Sequence, residues 1–273
     1  MLFRSEGAGV TQSWQAALDH ALQAAEAGHR LAQAELAAMA GDWPLAHAVL
    51  AGEDIATDTC RALCGAVDIP RWLETPAPQI VSASPRIAAI RNFASPEICR
   101  WLIARAQPRL DRAKVYDPAT GGPGHESVRD NRECHFRRED GDLVLLALRA
   151  RIARATELPV LSMEATAVLH YLPGQQFLPH FDFLDTKNPG YAKEVSERGQ
   201  RVATFLLCLN EDYEGGETQF TALGRRYKGH TGNAIFFWNV EPNGAPDRRT
   251  AHAGLPPTRG EKWMMSQWIR EPR

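Results

Sequence analysis

The sequence predicts an α+β protein with a double-stranded β-helix (jelly-roll) core, buttressing helices and an N-terminal α-helical segment. Two observations carry this prediction. After Pro159, short apolar strands follow one another with glycine-rich turns and few helices between them, a pattern typical of antiparallel barrels. Before Pro70, alanine and other small residues recur at helical spacing, which is typical of closely packed helices.

Length and composition set the class of protein. The chain has 273 residues, enough for one large domain or one domain with a small appendage. It is 44% hydrophobic and 23% charged, as in ordinary globular proteins, and its net charge of −2 argues against nucleic acid or an anionic membrane as partner. Neither a signal sequence nor a membrane span is evident, and the 5 cysteines are sparse. We therefore expect reduced thiols and a cytoplasmic location.

The N-terminal helices show one weak motif. Within the alanine-rich residues 13–67, the stretch 24–42 is similar to a single Sel1-type (TPR-related) helical repeat. One repeat is too few for an independent solenoid. We therefore predict a helical segment over residues 1–75 that packs onto the main domain. The alternative is a plain helical extension without a binding role.

Prolines between positions 70 and 85 predict a linker, so the main domain is expected over residues 83–273. A helix should run from Ser95 to about Gln107, because Ser95 suits the N-cap position and Pro96 the first helical position. The turn-rich stretch 117–124 predicts a mobile loop. The other predicted elements are a helix over 143–156 and strands over 86–93, 165–172, around His180, 202–210, 233–240 and 262–269.

The pair His180-x-Asp182 indicates a metal site. On an extended strand, side chains two residues apart face the same side, so both can reach one ion. With a second histidine they would form the two-histidine, one-carboxylate set that binds Fe(II) and leaves coordination positions open. His252, in a glycine-bounded turn before the last strand, is the best candidate for that histidine. His230 is the competitor.

Lys262 lies on the last predicted strand. Strand alternation puts Lys262, Met264, Ser266 and Trp268 on one face. A lysine that points into a barrel is costly unless an anion meets it, and a dicarboxylate co-substrate is such an anion. If Lys262 points outward instead, it is an ordinary solvated charge. Strand position alone leaves both open.

Ordered motifs then extend over most of the second region. They are Tyr171-x-Pro-Gly-Gln, His180-Phe-Asp182, Gln200 to Asn210, Gly215-Gly-Glu-Thr218, Gly232 to Asn239, His252-Ala-Gly254, Gly260-Glu-Lys-Trp263 and Trp268. In order and spacing these motifs resemble the prolyl 4-hydroxylase-type 2-oxoglutarate/Fe(II)-dependent dioxygenases. The resemblance covers about residues 83–270 and leaves out the N-terminal helices.

The resemblance implies a role for each matching residue. It implies that the iron ligands are His180, Asp182 and His252. It implies that 2-oxoglutarate is held by Lys262, Tyr171 and Thr218. Arg201 and Trp268 would lie toward the substrate, although Arg201 could instead form a structural ion pair with Glu197 or Asp182. Fe(II), 2-oxoglutarate and O₂ are the implied cofactor and co-substrates, with ascorbate as an optional reductant.

The implied activity is 2-oxoglutarate- and O₂-dependent hydroxylation of a prolyl or another residue in a peptide or protein. Departures from the family pattern at Phe177, Cys208, Leu255 and residues 130–134 concern the substrate side, so the hydroxylated residue stays open. Segments 115–135 and 184–198 are the expected lids. One alternative is a hydroxylase of a free amino acid or small metabolite. The other is a non-catalytic, protein-binding barrel.

Overall fold

A computed structural model describes residues 5–113, 115–117, 122–124 and 129–272. Contacts divide the chain into two units, residues 1–75 with 137–161 and residues 76–136 with 162–273. The predicted division into 1–75 and 83–273 stays a prediction, and the 137–161 segment groups with the N-terminal helices instead of with its sequence neighbours. Much of the loop predicted over 117–124 lies outside the described residues.

The helices are α1 Trp14–Glu26, α2 Arg30–Met39, α3 Trp43–Ala51, α4 Thr57–Gly65, α5 Ile69–Trp72, α6 Pro96–Ala106, α7 Leu143–Thr156 and α8 Pro189–Arg198. The first eight strands are β1 Gln79–Ala83, β2 Arg86–Ile90, β3 Asp111–Arg112, β4 Val115–Asp117, β5 Gly122–Gly124, β6 Arg132–Phe136, β7 Thr166–Tyr171 and β8 Phe177–His180. The others are β9 Arg201–Cys208, β10 Glu214–Gly215, β11 Thr218–Phe220, β12 Arg225–Tyr227, β13 Ala234–Trp238, β14 His252–Gly254, β15 Pro257–Arg259 and β16 Lys262–Arg270.

The first unit contains α1 to α5 and α7. Helix α2 is its centre, because residues 32–39 are all buried. Its Glu35 carboxylate accepts a hydrogen bond from the Leu143 amide, 3.1 Å away, at the start of α7. Asp142 caps the same helix by accepting from the Leu145 amide at 2.8 Å. Two buried acidic side chains thus satisfy the first turn of α7, which ties this helix to α2.

The second unit is built on two antiparallel sheets. Within the described residues, the larger sheet has the order β1-β2-β13-β9-β16-β7-β6-β3 and the smaller one β12-β11-β14-β8. One hydrophobic cluster takes side chains from both sheets, among them Leu169, Leu206 and Phe237 from the larger and Phe220 from the smaller. Two sheets that share an apolar interior confirm the predicted jelly-roll core.

Most predicted elements of this unit are present with shifted ends. Helix α6 begins after Ser95, whose hydroxyl accepts from the Ile98 amide as an N-cap. One prediction was wrong in kind: His252 lies on strand β14 and not in a turn. A three-residue strand bounded by glycine gives too little alternation to be recognised, and only its pairing with β11 and β8 defines it. Helix α8 occupies most of the predicted 184–198 lid.

Among the helices that the structure describes, each is too short or too polar to cross a bilayer.

Candidate metal and co-substrate site

Pairing between β8 and β14 brings the two histidines together. His252 is the direct partner of His180 in the antiparallel register, so side chains 72 positions apart in the sequence become neighbours. Asp182 is placed differently from the prediction. Strand β8 ends at His180, and Asp182 lies in the bend that follows. Strand alternation therefore does not orient the carboxylate, and another contact must do so.

Three possible ligand groups converge on one point. One ligand atom from each of His180, Asp182 and His252 lies within 4.8 Å of the others. The Nε2 atom of His180 is 3.7 Å from Asp182 Oδ1, and the Nε2 atom of His252 is 3.5 Å from Asp182 Oδ2. Two nitrogens and one carboxylate in this arrangement suit Fe(II).

Backbone carbonyls orient both imidazoles. The Nδ1 atom of His180 is 2.8 Å from the Leu178 carbonyl oxygen, and that of His252 is 3.0 Å from the Thr250 carbonyl oxygen. An Nδ1–H that donates to a carbonyl leaves Nε2 as the lone-pair nitrogen, and in both rings Nε2 faces Asp182. Metal-bound histidines in proteins usually show this arrangement.

A hydroxyl from the neighbouring sheet orients the carboxylate. Thr204 Oγ1 donates to Asp182 Oδ2 at 2.7 Å and accepts from Asn239 Nδ2 at 3.0 Å. Thr204 and Asn239 are completely buried. Neither residue was predicted from the sequence to take part in the site. A signal existed for Thr204, because it shares the inward face of β9 with Leu206 and Cys208 and is polar where the others are not.

Electrostatics favour the metal-binding protonation states. Burial, followed by the neighbouring His252, lowers the pKa of His180, so its imidazole is neutral near pH 7. Burial alone would raise the pKa of Asp182. The two imidazoles and the Thr204 hydroxyl more than offset this, so the pKa of Asp182 is below its usual range. A neutral imidazole beside an ionised carboxylate is ready to bind a cation.

The same groups open into a cavity. Its lining contains the three possible metal ligands and most of the predicted co-substrate and substrate residues: Arg129, Leu169, Tyr171, Phe177, His180, Asp182, Leu206, Thr218, His252, Gly254, Lys262, Met264, Ser266 and Trp268. The predicted inward face of β16 therefore points into this cavity.

Lys262 carries a buried charge there. Its side chain is 2% exposed, and within the described residues it forms no ion pair with a carboxylate. Its Nζ lies 5.0 Å from the centre of the Tyr171 ring. Burial lowers the pKa of Lys262 to about 8, while Cys208 and Glu217 oppose the shift in part. A buried ammonium in this state is stabilised by an anion.

Tyr171 and Thr218 lie on the wall of the same cavity, and both are buried. Burial raises the pKa of Tyr171 to about 12, so the phenol keeps its proton and can donate a hydrogen bond near pH 7. In the β7–β16 register Tyr171 is the direct partner of Lys262. A hydroxyl donor and an ammonium thus stand side by side on the larger sheet.

Arg201 is engaged with the protein itself. Its Nε and Nη2 donate to the two carboxylate oxygens of Glu164 at 2.7 and 3.0 Å. The structural alternative was an ion pair with Glu197 or Asp182. The observed partner, Glu164, differs from that expectation. The guanidinium also lies 4.0 Å from the Trp268 ring centre. Trp268 lines the cavity, whereas Arg201 is not among the lining residues.

The competing histidine lies elsewhere. The His230 side chain is 85% exposed, and its Nδ1 is 3.0 Å from a carboxylate oxygen of Glu211. Neither residue lines the cavity. Among the described residues, the group of three that could hold a metal contains His252 instead.

Comparisons with known proteins agree with the family resemblance found in the sequence. The profile of the 2OG-Fe(II) oxygenase superfamily matches residues 166–270. Prolyl 4-hydroxylase 1 of Arabidopsis thaliana is 36% identical over 209 residues, which cover 71% of this chain and 72% of that protein. Prolyl 4-hydroxylase 5 of the same plant is 33% identical over 219 residues, or 73% and 71% of the two chains.

One solved structure extends the likeness to the fold. It is the viral collagen prolyl hydroxylase vCPH from Paramecium Bursaria Chlorella virus-1 in its 2OG complex. The two superimpose with a TM-score of 0.53 at 27% identity, and the match covers 68% of this chain and 96% of the viral one. The superfamily profile begins at residue 166, so the Sel1-type likeness of the N-terminal helices stays a prediction.

Proposed function

This chain belongs to the 2OG-Fe(II) oxygenase superfamily and is a 2-oxoglutarate-dependent dioxygenase of the prolyl 4-hydroxylase type. From that premise we propose that it hydroxylates a prolyl or another residue in a peptide or protein. We propose further that His180, Asp182 and His252 bind Fe(II). Lys262, Tyr171 and Thr218 would bind 2-oxoglutarate.

The residues present fit a metal ion. Both imidazoles offer Nε2 toward Asp182, because their Nδ1 atoms are engaged by backbone carbonyls. The second oxygen of the carboxylate is held by Thr204. Two imidazole nitrogens, one carboxylate oxygen and hydrogen-bonded supporting groups form a donor set suited to Fe(II).

The single observation that carries the co-substrate assignment is the buried ammonium of Lys262, which lines the same cavity and has no carboxylate ion pair in the part of the chain that the structure describes. A carboxylate placed there would gain a charge-assisted hydrogen bond and would relieve the cost of the buried charge. Tyr171 and Thr218 add hydroxyl donors nearby. A dicarboxylate whose other end reaches the metal ligands satisfies both ends of the cavity.

Fe(II), 2-oxoglutarate and O₂ supply the oxidising chemistry, in which 2-oxoglutarate becomes succinate and CO₂ and a substrate C–H bond becomes C–OH. The protein's own contribution is placement. His180, Asp182 and His252 fix the metal position, and Lys262 fixes the far end of the co-substrate. The buried walls around Leu169, Leu206 and Met264 keep water from the reacting groups.

On the substrate side we propose that Trp268 faces the substrate and that Arg201 keeps its indole ring in place. Support comes from the position of Trp268 on the cavity wall and from the guanidinium that lies over its ring. Glu164 holds this guanidinium through two hydrogen bonds. The prolyl 4-hydroxylases among the relatives favour a peptide or protein as substrate.

The test is succinate formation by the purified full chain with Fe(II) and 2-oxoglutarate across a panel of proline-containing peptides and proteins. At least one of them should gain one oxygen atom by mass spectrometry, with an equivalent amount of succinate. A matched panel in which alanine replaces each proline shows whether proline is the target. Turnover with free proline and none with peptides would contradict the proposal and favour the small-metabolite alternative.

We also propose a cytoplasmic location. All 5 cysteines are free thiols, and 4 of them are buried. Cysteines left unpaired in this way suit a reducing compartment. Microscopy of a fluorescent fusion with separate membrane and compartment markers checks the proposal, and an exported fusion would contradict it.

A further inference from the structure

The two histidines of the candidate metal site are supported unequally. His252 lies on β14, an inner strand of the smaller sheet, and its ring makes a T-shaped contact with Phe237 at 4.9 Å between ring centres. His180 lies at the end of β8, the edge strand of that sheet. Its side chain is 17% exposed, against 6% for His252. The core therefore restrains one imidazole more than the other.

An aromatic ring compensates at His180. Phe177 stacks on the imidazole with 3.6 Å between ring centres and 12° between planes. These residues are three apart, which in a regular strand would put them on opposite faces. The β8–β14 pairing shifts register at this point, since His180 pairs with His252 and Phe177 with Gly254. A bulge thus allows the stack to form.

A fixed cation lies against the phenyl ring. The guanidinium carbon of Arg129 is 4.6 Å from the Phe177 ring centre, and Arg129 is 6% exposed. Its Nε donates to Asn131 at 2.8 Å and its Nη2 to Glu133 at 2.6 Å. Because two hydrogen bonds hold the guanidinium, Phe177 has a rigid neighbour besides the imidazole.

We propose that Phe177, backed by Arg129, is a positioning residue that fixes the ring plane of His180 for metal binding. The bond from Nδ1 to the Leu178 carbonyl selects the tautomer but leaves the ring free to tilt about it. A face-to-face contact restricts that tilt. Phe177 and Arg129 are called the His180 clamp below. The proposal rests on the metal-ligand role of His180 proposed above.

The test measures Mn²⁺ binding to the metal-free full chain by titration calorimetry, without substrate or turnover. Phe177→Leu should raise the Kd for Mn²⁺ by about tenfold, the size of effect seen when groups that orient a ligand are removed. Phe177→Tyr keeps the aromatic face and should bind Mn²⁺ nearly as the parent does. Phe181→Leu is the matched control, since Phe181 contacts Phe183 and is 38% exposed.

Arg129→Lys provides a second variant, because it keeps the charge but loses the planar guanidinium with its two hydrogen bonds. It should raise the Kd by a smaller factor than Phe177→Leu does. Arg132→Lys is the control for this variant, because Arg132 is exposed. If Arg132→Lys raises the Kd for Mn²⁺ as much as Arg129→Lys does, the Arg129 guanidinium has no specific role in positioning His180.

Melting curves and one further variant keep the outcomes distinct. An unchanged Kd for Mn²⁺ in Phe177→Leu overturns the clamp. The clamp is also overturned if Phe181→Leu shows the same rise in Kd and both variants lose melting temperature in proportion. His180→Ala tests the premise: if Mn²⁺ still binds that variant as tightly as the parent, the metal site itself is wrong. If His180→Ala loses Mn²⁺ while Phe177→Leu does not, only the clamp fails.

Discussion

At one end of the cavity the side chains of His180, Asp182 and His252 face one another, whereas at the other end the Lys262 ammonium has no carboxylate partner within the described residues. The candidate metal end is oriented by the protein itself, because backbone carbonyls engage the Nδ1 atoms of both imidazoles and Thr204 donates to Asp182 Oδ2. At the Lys262 end, an anionic ligand would stabilise the buried ammonium. Loss of a group at the metal end should therefore abolish chemistry, and loss of Lys262 should weaken co-substrate binding.

The largest effect is expected at the metal end. His252→Ala should abolish succinate formation with substrate, because it removes one of the three proposed metal ligands. His230→Ala is the matched control and should be as active as the parent, since His230 is exposed and lies outside the cavity. A dead His230→Ala beside an active His252→Ala would reverse the assignment.

Loss of Lys262, at the other end of the cavity, should weaken the binding of 2-oxoglutarate. Lys262→Ala should raise the KM for 2-oxoglutarate by about tenfold or more, because a charge-assisted hydrogen bond is worth roughly 1.5–3 kcal/mol. Exposed Lys193, replaced by alanine, controls for the loss of a positive charge. Initial rates against 2-oxoglutarate concentration give the comparison. An unchanged KM in Lys262→Ala would place the lysine outside the binding site.

The pH dependence of 2-oxoglutarate binding should also report on the Lys262 end of the cavity. In the ligand-free protein the pKa of Lys262 is lowered to about 8, so the ammonium is present below that pH and is lost as the pH rises through it. The Kd for 2-oxoglutarate should therefore rise by about fivefold between pH 8 and pH 9. Binding measured by calorimetry in the metal-loaded protein tests this, and Lys262→Ala should lack the trend. A pH-independent Kd in the parent would contradict it.

The smallest effect is expected at Arg201, which reaches the cavity only through Trp268. Arg201→Lys keeps the charge but loses the two hydrogen bonds to Glu164 and the guanidinium contact with the indole. We expect the substrate KM to rise several-fold, at a melting temperature about 2–4 °C lower. Slow succinate formation without substrate should persist.

Exposed Arg198, replaced by lysine, is the control for Arg201→Lys. A fall in substrate-free succinate formation that follows the loss of melting temperature in Arg201→Lys would mean a purely structural role. Measuring succinate with and without substrate, beside the melting curve, separates the two readings.

The local pattern of the sequence determined much of this protein. Two-residue alternation along the last strand put Lys262, Met264, Ser266 and Trp268 on one face, and all four line the cavity. The helix after Ser95 followed from its cap and from proline geometry. These features depend on near neighbours in the chain, whose relative positions the backbone fixes.

Only the tertiary structure decided the contacts between distant segments. The register of β8 against β14 puts His252 opposite His180, and no periodicity in either strand encodes it. Asp182 lies past the end of its strand, so Thr204 and not the pleat sets its direction. Arg201 pairs with Glu164, 37 residues earlier, instead of with the nearer carboxylates expected. Such choices depend on how strands pair and bend, because strand register is set by the packing of whole faces.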